Sequence, residues 1–361
     1  MLSFPLVDNT VFSQLVGFGH QSVLFCYDQE TSLRAIIAIH DTTLGPALGG
    51  TRMMIYKTEA DALRDVLRLS RGMTYKAAIT GLNLGGGKAV IIGDSRTDKT
   101  EVMMRRYGRF IENLNGLFIT ATDVGTSQKD MEYIRSETKH VTGVPIEIGG
   151  SGNPAPITAI GVYFGIRACA KELFGNDALA GRSVAVQGVG QVGECLVRLL
   201  RKENVKVYVS DINEERLIQV AKKYKAEMVS NSDIYNLDVD VYAPCALGST
   251  INTLTINKLK CAIIAGAANN QLADEEEHGK LLLEKDILYA PDYLINAGGL
   301  INSYSEIVGY SKERTIQLAE NIYEMTRGVL KKSKSESIPT YVAANQIAEK
   351  RIADIKKIKT N

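Results

Sequence analysis

Two lysines in glycine-rich surroundings are the first residues of this chain whose types and spacing could do chemistry. Lys76 ends the run Gly72-Met73-Thr74-Tyr75-Lys76, and Lys88 follows three consecutive glycines, Gly85 to Gly87. Three glycines just before a strand bring backbone close without side-chain bulk, so we expect Lys88 to be partly desolvated. Desolvation and a second ammonium nearby both lower the pKa of a lysine towards the range of a general base. The pattern therefore favours an acid/base lysine over two ordinary surface lysines.

A glycine motif in the second half of the chain predicts a dinucleotide-binding turn. A strand ending at Gln187 runs into Gly188-Val189-Gly190-Gln191-Val192-Gly193, which is G-x-G-x-x-G, and a helix is predicted to follow. In this motif the first glycine allows a tight turn, the second lets backbone approach a pyrophosphate, and the third lets the helix pack on the strand. We expect the whole run from Gln187 to Gly193 to contact the cofactor.

An acidic residue selects between the two nicotinamide cofactors. Asp211 follows the next predicted strand, where a carboxylate would bind the ribose 2′-hydroxyl and repel a 2′-phosphate. The alternative is that Asp211 only caps the next helix. The motif and this acid together predict NAD rather than NADP.

The spacing of apolar residues predicts α/β architecture in two domains. Strand-like runs alternate with amphipathic helical patterns in the first half, and a strict β-then-α series from Ser183 indicates a doubly wound parallel sheet. Residues 147–156 hold glycines and two prolines, which predict an interdomain hinge. We predict a substrate-binding catalytic domain at 1–150, joined by a C-terminal helix at 336–361, a Rossmann NAD-binding domain at 151–335, and a cleft between them.

The individual elements follow from the same patterns. The predicted strands are 23–27, 35–40, 88–93, 118–121, 183–187, 206–210, 239–244, 261–266 and 287–290, with a weaker one near 227–229. The predicted helices include 58–71, about 100–115, a long helix at about 305–333, and a last helix after Ile338.

Composition excludes several classes of protein. The 42 basic and 41 acidic residues give a net charge of +1, so we expect no nucleic-acid partner. The longest apolar run is far too short to span a bilayer, the N-terminus lacks the pattern of a secretory signal, and five cysteines are scattered. We therefore expect a cytoplasmic protein without a membrane partner. The four histidines lie far apart, and no metal site is expected.

Several stretches resemble the glutamate/leucine/valine/phenylalanine dehydrogenase family, and its leucine dehydrogenase branch most closely. They run in the family's order over nearly the whole chain, at residues 40–52, 72–76, 81–88, 122–125, 243–248, 265–272 and 296–299. Arg52 closes the first stretch and is assigned no catalytic role. The resemblance implies homo-oligomerisation through the first domain.

The resemblance also implies a role for three ionisable residues, by motif position. Lys76 would hold the substrate α-carboxylate. Lys88 would be the general acid/base that acts on the water adding to an imine. Asp123 would carry a proton to and from the substrate nitrogen; its alternative is a loop acid or helix cap. This set is chemically coherent, because NAD would accept the Cα hydride.

The substrate pocket is inferred in the same way. Gly49 and Gly50 are expected to form a turn that lets the substrate approach the backbone. Leu48 stands where glutamate dehydrogenases carry a lysine that pairs the side-chain carboxylate, so an aliphatic substrate is predicted. Further pocket and cofactor contacts are expected at Ala121, Leu300, Asn270 (substrate or nicotinamide, or a helix cap) and Asn296 (nicotinamide).

One residue departs from the leucine dehydrogenase pattern. Ser303 stands where leucine dehydrogenases resemble one another in having valine and glutamate enzymes have serine. A lone hydroxyl cannot neutralise a carboxylate, so Leu48 decides the prediction. Ser303 would instead enlarge the pocket or admit a less branched or aromatic side chain.

The sequence thus predicts reversible NAD-dependent oxidative deamination of a branched-chain L-amino acid, leucine first, to the 2-oxo acid and ammonium. Such an activity belongs to branched-chain amino-acid catabolism. The alternatives are a phenylalanine, tryptophan or valine dehydrogenase. An alternative from another class is a catalytically silent NAD-sensing protein, which would keep the glycine motif but lose Lys76, Lys88 or Asp123; all three are present.

Overall fold

A computed structural model describes residues 10–359. The chain divides into two compact units. The first comprises Met1–Gly152, Ser303–Tyr310 and Ala348–Asn361, and the second comprises Asn153–Asn302 and Ser311–Ile347. The first unit thus includes a short segment near residue 306 and takes only the end of the last helix. The predicted roles of the domains, the hinge and the cleft stay predictions. The expectation about a secretory signal concerns residues 1–9, which lie outside the described part of the chain.

The first unit is a five-stranded mixed sheet with helices on both faces. Its elements are α1 (Val11–Phe18), β1 (Ser22–Asp28), β2 (Leu33–Asp41), β3 (Ala47–Met54), α2 (Glu59–Ile79), β4 (Gly85–Ile92), α3 (Glu101–Glu112), β5 (Phe118–Thr122) and α4 (Gln128–Arg135). The strand order is β1-β2-β4-β3-β5. Strand β3 pairs in parallel with β4 and β5, and β2 runs antiparallel to β1 and β4.

Three differences from prediction in this unit concern the site. Strand β4 begins at Gly85, so Gly85 to Gly87, predicted to precede the strand, lie inside it. Gly49 and Gly50, predicted as a turn, lie inside strand β3, which was not predicted, because glycine is rare in strands and carries no β signal. Helix α2 continues to Ile79, past the predicted end at 71, and so includes Lys76. Its start agrees with prediction: the Thr58 hydroxyl caps it by accepting from the Asp61 amide at 3.1 Å.

The second unit is a doubly wound parallel sheet, as predicted. Its elements are α5 (Ala155–Phe174), β6 (Ser183–Gln187), α6 (Gln191–Lys202), β7 (Lys206–Ser210), α7 (Glu214–Tyr224), β8 (Glu227–Met228), β9 (Val241–Pro244), α8 (Thr253–Ile256), β10 (Ile263–Ile264), α9 (Glu275–Glu284), β11 (Leu288–Tyr289), α10 (Asp292–Ile295), α12 (Lys312–Glu320) and α13 (Ile322–Glu336). Two helices, α11 (Gly298–Ile307) and α14 (Thr340–Lys359), begin in this unit and end in the first. The strand order is β11-β10-β9-β6-β7-β8, and every pair is parallel.

The long helix predicted at 305–333 is wrong. Three helices, α11 to α13, cover this region instead. Gly309 has a φ of +93°, which a right-handed helix cannot contain, and the Ser311 hydroxyl accepts from the Arg314 amide to start the next helix.

Within residues 10–359 no helix is both long and apolar enough to cross a membrane. Nor does this part of the chain bring together three or more His, Cys, Asp or Glu side chains in a group that could hold a metal.

Candidate active site

One face of the first sheet carries four of the predicted substrate and catalytic residues. Residues paired across neighbouring strands, and alternate residues along one strand, point to the same face. Leu48 pairs with Gly86, and Gly50 pairs with Ala121. Lys88 lies two residues beyond Gly86 in β4, so these five residues share a face. Leu48 is buried, with 1% of its surface exposed, and contributes an apolar side chain to this face.

Helix α2 covers this face. A Cβ at Gly86 would lie 2.1 Å from the Thr74 backbone nitrogen, so only glycine allows this approach of helix and strand. Lys76 follows Thr74 by two residues in the last turn of α2 and is partly buried. The sheet thus brings the elements that carry Lys76 and Lys88 into contact.

The glycines of strand β3 allow equally close approaches. A Cβ at Gly49 would lie 1.7 Å from the Gly87 carbonyl oxygen, and one at Gly50 would lie 2.5 Å from that of Thr122 and 2.9 Å from the Asp123 Cβ. These glycines are therefore needed for the packing of the strands around the site, whatever contact they make with a ligand.

Lys88 and Asp123 form a close ion pair. The Lys88 ammonium donates to Asp123 Oδ2 at 2.7 Å, and Lys88 is only 7% exposed. Burial opposes ionisation of Asp123, but the positive charges of Lys88 and Arg52 outweigh it and hold the pKa of this carboxyl below its usual value. Asp123 does not cap the following helix, because Ser127 caps α4. The pair thus consists of a cation and an ionised carboxylate, two groups that can exchange protons with a ligand.

A second set of charges lies behind this pair and was missed by the sequence reasoning. Arg52 Nε donates to Asp123 Oδ2 at 3.2 Å, and its Nη1 donates to Asp65 Oδ2 at 3.0 Å. The Tyr56 hydroxyl donates to the same Asp65 oxygen at 2.8 Å. The available signal was the position of Arg52 two residues after Gly50, which puts both on one face of a strand.

A side chain of the C-terminal helix holds the turn between α2 and β4. The sequence patterns did not predict this contact. The Arg351 guanidinium donates to the carbonyl oxygens of Leu82 at 2.8 Å and Gly81 at 2.9 Å, and to Asn83 Oδ1 at 3.0 Å. Arg351 thereby fixes the segment that joins the two lysine-bearing elements. An arginine inside a helix carries no local signal of such a long-range contact.

In the second unit the glycine motif adopts the predicted strand–turn–helix geometry. Gly188 has a φ of +92°, and a Cβ at Gly193 would lie 2.0 Å from the Gly188 carbonyl oxygen. At Gly190, by contrast, a Cβ would meet nothing within 4 Å, and Gly190 begins α6 without a side-chain cap. Open space in front of uncapped helix amides fits the diphosphate of a dinucleotide.

Asp211 lies beside this motif at the end of β7. Its Oδ2 accepts from the Val189 amide at 2.7 Å and its Oδ1 from the Asn213 amide at 2.8 Å. Asn213, not Asp211, caps helix α7. The carboxylate is therefore held next to the glycine turn, where the ribose-binding prediction requires it.

Asn270 lies in the loop that follows β10. Asn296 follows α10 and hydrogen-bonds to that loop. Buried Asn296 donates through Nδ2 to Asn269 Oδ1 at 2.8 Å and to the Ala267 carbonyl at 3.1 Å. Asn270 is exposed, with a φ of +51°, and does not cap α9, which begins after Asp274. Leu300 and Ser303 lie one turn apart in α11, Leu300 in the second unit and Ser303 in the first. The ligand contacts of all four stay predictions.

Comparison with known proteins agrees with this geometry. Residues 20–140 match the model of the Glu/Leu/Phe/Val dehydrogenase dimerisation domain, and residues 208–359 match the Glutamate/Leucine/Phenylalanine/Valine dehydrogenase model. The chain is 53% identical to leucine dehydrogenase of Geobacillus stearothermophilus over 97% of this chain and 95% of that protein. It is 47% identical to phenylalanine dehydrogenase of Caldalkalibacillus thermarum over 92% and 91%, respectively.

A solved structure is similar along nearly the whole length. The crystal structure of L-tryptophan dehydrogenase from Nostoc punctiforme has a TM-score of 0.87 at 46% identity, covering 96% of this chain and all of that one. The parallel nucleotide-binding sheet, the lysine–aspartate pair and these similarities define an amino-acid dehydrogenase, an oxidoreductase. The chain belongs to the glutamate/leucine/phenylalanine/valine dehydrogenase family, whose members use NAD or NADP.

Proposed function

We propose that this enzyme catalyses the reversible NAD-dependent oxidative deamination of a branched-chain L-amino acid, leucine first, to the 2-oxo acid and ammonium. The observation that carries the proposal is the Lys88–Asp123 pair on the sheet face that also holds buried Leu48. The pair supplies proton transfer, and Leu48 supplies apolar surface for the substrate side chain.

The residues of the first unit divide the proton chemistry. Lys76 binds the α-carboxylate and so fixes the substrate. Asp123, held ionised by its cationic neighbours, accepts a proton from the substrate ammonium. Lys88, in its neutral form, takes a proton from the water that adds to the imine carbon. Asp123 returns its proton to the nitrogen as ammonia leaves, and the hydroxyl proton passes to solvent as the carbonyl forms.

The glycine motif and Asp211 would hold NAD, which supplies the acceptor for the Cα hydride. The α6 amides would bind the diphosphate, Asp211 would bind the ribose hydroxyls, and Asn270 and Asn296 would contact the nicotinamide end. A negative charge at Asp211 repels the 2′-phosphate of NADP, which supports NAD as the cofactor.

Leu48 supports an aliphatic substrate. A glutamate side chain would bury an unpaired carboxylate against it, at a cost of several kcal/mol. A leucine side chain would gain roughly 1.5–3 kcal/mol from burial. Ala121 adds apolar surface on the same sheet face, while Ser303 would widen the pocket.

Aromatic amino acids are the second candidate substrates. Relatives at 46–47% identity carry the names L-tryptophan and phenylalanine dehydrogenase, so the same chemistry occurs with larger side chains in similar chains. Valine remains a further alternative. A silent NAD-sensing protein is disfavoured because Lys76, Lys88 and Asp123 are all kept.

The test is kcat/KM for leucine, isoleucine, valine, phenylalanine, tryptophan and glutamate, with NAD, under one set of conditions. Leucine should be best and glutamate poorest. Leu48→Lys should reduce activity on leucine and improve it on glutamate, while the similarly sized Leu48→Met should change the order little. Glutamate as the best substrate would overturn the pocket argument; an aromatic amino acid as the best would correct only the specificity.

We further propose a homo-oligomer that works in the cytoplasm. The match of residues 20–140 to a family model described as a dimerisation domain supports the assembly. Light scattering of the purified enzyme tests it, and a monomer at micromolar concentration would contradict it.

A further inference from the structure

We propose that Arg52 is a positioning residue whose guanidinium holds the Asp123 carboxylate against Lys88 and is itself held by Asp65. This inference rests on the proposed role of Asp123 as proton carrier. It assigns a part in the reaction to a residue outside the predicted site.

The geometry is that of a bridge between two carboxylates. Arg52 uses Nε for Asp123 and Nη1 for Asp65, at 3.2 and 3.0 Å. All three side chains are largely buried, at 17–20% exposure. Because the guanidinium is planar and its donors are rigidly spaced, fixing one end fixes the direction of the other.

The far end of the bridge is anchored to helix α2. Asp65 lies in α2 and also accepts from the Tyr56 hydroxyl at 2.8 Å and from Arg68 at 3.4 Å. Arg52 itself lies in strand β3, two residues after Gly50. The Asp123 carboxylate is therefore located relative to both the strand and the helix that border the site.

Arg52 also supplies a permanent positive charge beside Asp123 in the proposed mechanism. An acid/base lysine must alternate between its charged and neutral forms. When Lys88 is neutral, a mostly buried Asp123 with no other cation would tend to take up a proton. Arginine stays charged throughout. The contact with Arg52 thus keeps Asp123 ionised while Lys88 changes its protonation state, and Asp65 balances the charge of Arg52.

A double-mutant cycle tests whether Arg52 acts through Asp123. The proteins compared are the unmodified enzyme, Arg52→Ala, Asp123→Asn and the double variant, with kcat and KM for L-leucine measured with NAD. Arg52→Ala should lower kcat by up to about 100-fold, since small misplacements of a reacting group cost that much, and should change KM far less. In the Asp123→Asn background the same change should have little further effect.

The pH dependence gives a readout that a purely structural role would not move. Two charged groups face Asp123: Lys88 of strand β4 and Arg52 of strand β3. Behind Arg52 lie Asp65, Arg68 and Tyr56. Without Arg52 the pKa of Asp123 should rise, so the loss of kcat/KM on acidification should begin at higher pH. Arg52→Lys should restore part of kcat and return the profile towards that of the unmodified enzyme.

The control is Arg96→Ala, which removes an arginine that is 85% exposed and pairs with Asp94. It should leave kcat and the pH profile unchanged. If Arg52→Ala does not unfold cooperatively on heating, Asp65→Asn replaces it in the same cycle, because it removes the anchor of the Arg52 guanidinium.

The outcomes separate the two proposals. Full turnover by Asp123→Asn would overturn the proposed function. If Asp123→Asn has a lowered kcat but Arg52→Ala has a normal one, only the positioning role of Arg52 is overturned. An equal fold-loss from Arg52→Ala in both backgrounds would also overturn it, since Arg52 would then act independently of Asp123.

Discussion

Gly86 lies directly against Thr74, so the strand that carries Lys88 contacts the helix that carries Lys76 through a residue with no side chain. A Cβ at residue 86 would lie 2.1 Å from the Thr74 nitrogen and 2.2 Å from its hydroxyl oxygen. The distance between helix and strand is therefore set by the absence of one methyl group.

Gly86→Ala should push α2 away from β4. We expect a loss of about 1–3 kcal/mol in the free energy of unfolding, as for other overpacked sites, and a lower kcat. Chemical denaturation and steady-state kinetics measure both. The matched control is Gly72→Ala in the same helix, where a Cβ meets nothing within 4 Å and alanine should stabilise by up to about 1 kcal/mol. Equal stabilities of the two variants would contradict the packing argument.

Substitution of the two lysines should separate binding from chemistry. Lys88→Ala should lower turnover by about 10²- to 10⁴-fold while NAD still binds, because the general acid/base is lost. Lys76→Ala should chiefly raise KM for the amino acid. Steady-state kinetics and titration of NAD distinguish the two, and Lys350→Ala, a surface lysine 77% exposed, is the control. Near-normal deamination by Lys88→Ala would remove its assigned role.

Asp211 should discriminate between NAD and NADP by its charge. Asp211→Ala should weaken NAD and narrow the difference in kcat/KM between the cofactors. Asp211→Asn keeps an oxygen that can accept from the Val189 amide but removes the charge, so it should improve NADP use while preserving the glycine turn. Equal kcat/KM for both cofactors in the unmodified enzyme would refute this assignment.

His20 should make the enzyme less stable in mild acid. Its ring lies edge-on to His40 with centroids 4.8 Å apart, and Nε2 bonds the Ser70 hydroxyl at 2.7 Å. Burial, followed by the charge of His40, lowers the pKa of His20 to about 4. Between pH 6.5 and about 4 the unfolded chain therefore binds more protons than the folded one, so stability falls as pH falls.

The contribution of His20 has a maximum slope of about 1.4 kcal/mol per pH unit within that window. Urea denaturation at pH 7, 6 and 5 measures it. His20→Gln should show a shallower loss of stability than the unmodified enzyme. The same slope in both would show that His20 does not titrate between the folded and unfolded states in this range.

The glycine motif shows what local sequence can determine. A strand, a left-handed Gly188 and a helix that begins directly after Gly190 are dictated by consecutive residues. The strands at 183–187 and 206–210 begin and end where they were predicted. The helix start at Thr58 was predicted for the same reason. In these cases the side chain and the backbone group it serves are neighbours in the chain.

The sequence by itself determined the family, the α/β fold class and the candidate residues Lys76, Lys88 and Asp123. Only the tertiary structure decided that Gly49 and Gly50 lie in a strand, that Arg52 joins Asp123 to Asp65, and that Arg351 holds the turn before Lys88. Arg351 lies 269 residues from the Leu82 carbonyl it binds. Such contacts depend on strand register and helix packing, which bring together residues that are far apart in the chain. For Arg351 no pattern of neighbouring residues indicates them.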